Sequence, residues 1–61
     1  MKESVKVRIV EFKNEFYVDY CKIGKKLWKN HSVNKTKTKA KNSINDLKGL
    51  YSIINHTYES I

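Results

Sequence analysis

The chain has 61 residues and a formal net charge of +7. That length allows one domain, 1–61, with too small a core for a deep catalytic pocket. A single cysteine, Cys21, excludes an internal disulfide, and Cys21, His31 and His56 match no zinc-ligand spacing, so no metal and no other cofactor is expected.

The N-terminal stretch MKESVKVRIV lacks the apolar run of a signal peptide. No apolar segment approaches the roughly twenty residues of a membrane span. With one unpaired cysteine, the expected home is a reducing cytoplasm, away from membranes. Lysine, asparagine, isoleucine and tyrosine are abundant, proline is absent and alanine occurs once. Those four residues have A/T-rich codons, which points to an AT-rich genome such as a virus or plasmid of a low-GC bacterium.

VKVRIVEF, residues 5–12, alternates Val5, Val7 and Ile9 with Lys6 and Arg8, then shifts phase at Val10 and Phe12. β-branched residues at period two predict a strand. Lys13-Asn14 with Glu15 predicts a tight turn, because asparagine tolerates the left-handed region. FYVDYCKI, residues 16–23, predicts a second strand, with Phe16, Val18 and Tyr20 on one face and Tyr17, Asp19 and Cys21 on the other. Gly24 supplies another turn, and KLWKNHSV, residues 26–33, predicts a third strand.

Asn34 or Thr36 is the expected N-cap of a helix carrying Ala40, Ile44 and Leu47 at helical spacing. Lys48, Gly49 and Leu50 read as a helix end with glycine in the left-handed position. The tail is ambiguous. Ala40, Ile44, Leu47, Tyr51, Ile54, Tyr58 and Ile61 keep a three-four repeat, which favours one long helix whose overhang could form a homodimer through the C-terminal segment. The Tyr, Ile and Thr content after Gly49 favours a fourth strand instead. The reading taken is an α+β fold: an antiparallel three-stranded meander followed by a C-terminal helix, β-β-β-α, continuing through the tail.

The charge is a block. Residues 1–21 are neutral, residues 22–41 hold eight lysines and no acid, and residues 42–61 carry a net −1. Clustered lysines repel one another, and a polyanion relieves that repulsion while releasing counterions. Lys22, Lys25, Lys26, Lys29, Lys35, Lys37, Lys39 and Lys41 are therefore the candidate nucleic-acid contacts. Trp28, set among them, is either a base-stacking residue or the main core residue. Lysine outnumbers arginine twelve to one, which suits phosphates better than base edges. Lysines near a helix N-terminus also oppose its dipole, and a bound phosphate would relieve the conflict. His31 would need an orienting carboxylate or a nucleophile to act as a base; a small RNase could use it with the lysines, but the reading taken is a surface or groove-lining histidine. No catalytic residue is assigned.

In order and pattern, the paired strands with FYVDY, the GKKLWK hairpin arm and NKTKTKAKNSI leading into a helix resemble the arm-type DNA-binding domain of tyrosine integrases. The resemblance covers roughly residues 5–48. It implies a three-stranded sheet entering the DNA major groove with a helix behind it, and Lys26, Trp28 and Lys29 facing the DNA. The chain lacks the catalytic domain and is poor in arginine. The expectation is a small non-enzymatic basic protein, of the kind phages carry as accessory proteins, that binds DNA or RNA mainly through phosphates. The alternative is a small phage-type protein that inhibits or redirects a host protein by meeting an acidic surface.

Overall fold

The computed structural model describes residues 2–61. Alternating apolar residues form strand β1, Glu3–Phe12, and strand β2, Glu15–Lys22, joined by a two-residue turn. Lys13 and Asn14 both take positive φ, 51° and 63°. Two such residues between antiparallel strands match the right-handed twist of the ladder. β1 and β2 pair without interruption from Val5↔Lys22 to Phe12↔Glu15. The phase shift expected at Val10 therefore does not occur: Val10 and Phe12 share the face of Lys6 and Arg8, not that of Val7 and Ile9.

Strand β3, Lys29–Asn34, pairs antiparallel with β2. It begins three residues later than KLWKNHSV predicts. Residues 25–28 form a loop, turned by Gly24 at φ +83° and by the Lys25 amide donating to the Lys22 carbonyl at 3.0 Å. The Cys21 thiol lies under this loop and donates to the Lys25 carbonyl at 3.1 Å. It is buried as a small filler.

Helix α1, Lys37–Leu50, follows. Thr36 caps it, its Oγ1 accepting from the Lys39 amide at 3.2 Å. Asn34, the other expected cap, instead accepts from Ser43 Oγ at 3.2 Å and donates to the Phe16 carbonyl, tying β3 to the helix and to β2. Ala40, Ile44 and Leu47 are buried against Val5, Val7, Ile9 and Val18. Burying each of the larger aliphatic side chains contributes about 1.5–3 kcal/mol.

The expected C-terminal helix is overturned. α1 stops at Leu50, and Tyr51–Ser60 forms strand β4, paired parallel with β1. The sheet is four-stranded and mixed, in the order β3-β2-β1-β4, with the helix in the middle of the chain. The fold is α+β but not β-β-β-α. Gly49 is helical rather than left-handed, and the chain changes direction at Tyr51, φ −135° and ψ 160°, whose amide donates to the Leu47 carbonyl. Two forces favour the strand. The tail is rich in β-branched and aromatic residues, and β1 would otherwise be an edge strand with an unpaired backbone. The three-four repeat does not set the packing: Tyr51 and Ile53 pack on the core, while Ile54 sits at an irregularity and is exposed. A helical overhang for dimer formation does not exist.

One face of the sheet carries α1. The opposite face, bearing Lys6, Arg8, Val10, Phe12, Tyr17 and Asp19, has no helix over it. Among the described residues no helix is long and apolar enough to cross a membrane.

Candidate nucleic-acid interface

Strand β3 splits the lysine block. Six residues of strand span about 20 Å, so Lys22, Lys25, Lys26 and Lys29 lie at one end of β3 and Lys35, Lys37 and Lys39 at the other, with Lys41 a turn further back along the helix. The sequence presents one run; the fold makes two patches.

The first patch is built by the loop after β2. Lys22, Lys25 and Lys29 surround an open pocket of about 230 Å³ together with Tyr20 and Leu27. Tyr20 and Lys22 alternate onto the helix side of β2, and the loop brings Lys25 and Leu27 round to meet them. Lys22 is held by Glu3 at 3.3 Å across the sheet. Lys26 is exposed in the same loop and does not line the pocket. Three ammonium groups around an aromatic and an aliphatic wall suit a phosphate with an adjoining flat or apolar group.

The second patch is the start of α1. Its first turn contains no acidic residue, so Lys35, Lys37 and Lys39 stand at the positive end of the helix dipole with no carboxylate to offset it. Lys37 Nζ lies 4.4 Å from the centroid of the Tyr58 ring, a cation–π contact that leaves its charge unneutralised. Lys41 points along the helix to a shallow groove of about 530 Å³, shared with Ile44, Asn45, Lys48, Ile53 and His56. Lys48 and His56 are basic side chains of this groove that the block between residues 22 and 41 does not include.

Among the described residues only two ion pairs form, Arg8–Asp19 and Lys22–Glu3. Seven of the eight lysines of the block are exposed and have no carboxylate partner among them.

Trp28 belongs to neither lysine patch, nor to the helix-side core. It is half-buried on the opposite face, its ring centroid 4.2 Å from Arg8 Cζ and 5.6 Å from Lys6 Nζ. Arg8 and Lys6 are therefore part of the Trp28 environment. Their alternation with Val5, Val7 and Ile9 put them on this face in the sequence, but the loop that folds Trp28 onto them has no local signal. Phe12, Tyr17 and Val33 share this face, and its cations Lys6, Arg8 and Lys13 are matched in number by the carboxylates Glu15, Asp19 and Glu59.

His31 is half-buried, and its Nδ1 lies 3.2 Å from Ser32 Oγ with no carboxylate to orient it. Among the described residues no three His, Cys, Asp or Glu side chains gather to hold a metal ion. Two tyrosines are perturbed. Tyr58 donates its hydroxyl to Glu11, and that bond, then desolvation and the Glu11 charge, raise its pKa above 10.0. Tyr51 is raised chiefly by the like charge that Tyr20 would develop beside it, their rings being 5.4 Å apart.

Searched against family models, curated proteins and solved structures, the chain matches none.

Proposed function

We propose that the protein binds nucleic acid through its phosphate backbone, without catalysis, using the loop patch of Lys22, Lys25, Lys26 and Lys29 and the helix patch of Lys35, Lys37, Lys39 and Lys41. The observation that carries this reading is that seven exposed lysines have no carboxylate partner among the described residues of a 61-residue chain. Unpaired clustered cations raise the free energy of the free protein, and a polyanion lowers it by releasing counterions. The two patches lie about 20 Å apart, so they touch separate stretches of backbone. The scarcity of arginine makes the binding tolerant of sequence. A buried, unpaired Cys21 fits a reducing cytoplasm.

The test is anisotropy of labelled DNA and RNA, single- and double-stranded, with the unmodified chain and two triple variants. One carries Lys25→Gln, Lys26→Gln and Lys29→Gln, the other Lys35→Gln, Lys37→Gln and Lys39→Gln. On duplex, each triple should flatten the dependence of log K on log salt by about 0.9 for every phosphate that is no longer neutralised. Binding that neither triple changes would exclude the lysine patches.

A second reading rests on the helix-free face. Trp28, Tyr17, Phe12 and Val33 expose aromatic and apolar surface whose charges nearly cancel, the chemistry of anchors for a protein partner. There the protein would inhibit or redirect a host protein, with the lysines meeting its acidic rim. Such a complex would weaken less with salt than a nucleic-acid complex.

A further inference from the structure

The sheet has two open edges of different kind. β3 is six residues long, begins with Lys29 and is irregular opposite Val18 and Asp19. Short length, lysine and irregular pairing all discourage an edge strand from recruiting another. β4 has ten residues, no lysine and no proline, and past one irregularity at Ile54 it keeps even register from Asn55 to Ser60. In a chain with twelve lysines, Glu59 is the only formally charged residue on this strand. Apolar side chains are exposed on the strand, Ile54 at 59 % and Tyr58 at 42 %, and at its two ends, Leu50 at 65 % and Ile61 at 81 %.

The backbone is also set for pairing. The Ile61 amide donates to the Glu11 carbonyl at 3.0 Å and so points toward β1. N–H directions alternate along a strand. The amides of Ser60, Tyr58 and His56 therefore point outward from the sheet.

We propose that β4 pairs antiparallel with β4 of a second copy across a two-fold axis, forming a continuous eight-stranded sheet. The exposed side chains of β4 select the occupant, because they complement those of a second copy. Two copies at +7 each repel; the strand itself carries no lysine and the loop patches lie at the far edges, while Lys37, Lys41 and Lys48 flank β4 on the helix face. An antiparallel pair centred near His56 sets Ile54 of one copy close to Tyr58 of the other, so each buries what the other exposes. This dimer does not depend on the nucleic-acid reading. It would set the two β3 edges about seven interstrand spacings, or about 34 Å, apart, near one turn of B-DNA.

Light scattering on a sizing column tests it, from about 5 µM to about 1 mM protein. The mass should rise from 7.2 kDa to twice that value as concentration increases. Ile54→Lys should weaken the dimer at least about tenfold through like charge at the seam, with circular dichroism confirming that the variant folds. In the unmodified chain, the amides of His56, Tyr58 and Ser60 should gain hydrogen-exchange protection with concentration. That measurement decides the matter if the variant unfolds. A mass that stays at one copy throughout overturns the proposal, as does a dimer that leaves those three amides unprotected.

Discussion

The Trp28 ring lies on the guanidinium of Arg8, 4.2 Å from its centroid to Cζ, while Arg8 Nε donates to Asp19 at 3.2 Å. Asp19 also accepts from Asn30 Nδ2 at 2.9 Å. The loop, β1, β2 and β3 are thus joined in one chain of contacts on the face without a helix. Arg8 is the only arginine in the sequence, and it stands where a planar cation can stack and donate at once. Replacing Arg8 with lysine keeps the charge but loses the flat stack. It should cost about 1 kcal/mol in urea unfolding and shift Trp28 emission to the red. Unchanged stability and emission would show that the stack is incidental.

The two glycines predict opposite signs. Gly24 sits at φ +83°, a conformation strained for any side chain, although no atom would crowd a new Cβ. Gly24→Ala should cost about 1 kcal/mol and speed thiol labelling of Cys21, which the loop covers. Gly49 is helical, with open space where a Cβ would go. Gly49→Ala should stabilise by about 1 kcal/mol, as read by denaturant midpoint.

Tyrosine titration separates the hydroxyls. Tyr58 and Tyr51 should ionise above 10.0, the ordinary value. A pKa raised by folding means that the folded state prefers the neutral phenol. The contribution to stability is then full below 10.0 and is lost as pH climbs through the raised values. Tyr58→Phe should remove one late step from the near-ultraviolet tyrosinate curve and flatten the alkaline loss of stability. An unaltered curve would contradict the Glu11 bond.

Strands β1 and β2 were legible because period-two alternation and the Lys13-Asn14 turn both report local geometry, although the phase shift read at Val10 is absent. The helix start was legible for the same reason, through Thr36 and the spacing of Ala40, Ile44 and Leu47. β4 was not. Tyr51, Ile54, Tyr58 and Ile61 continue a helical repeat by coincidence, and what decides their fate is the vacant edge of β1, some fifty residues away in sequence. The lysine block was visible as a run, but its division depends on β3 beginning at Lys29 rather than Lys26. The loop that carries Trp28 onto Arg8 supplies that difference, and it is fixed by the buried Cys21 thiol and the Lys25 carbonyl, a pairing with no local pattern.

The most direct measurement of the central claim is the salt dependence of binding to labelled duplex and single strands, by anisotropy between about 50 and about 200 mM salt. Four neutralised phosphates, the number the loop patch alone could reach, predict roughly a hundredfold drop in affinity on duplex over that range. A steep slope, reduced in each lysine triple, is the result this account expects. No binding at the lowest salt, or binding that hardly changes across the range, would contradict it.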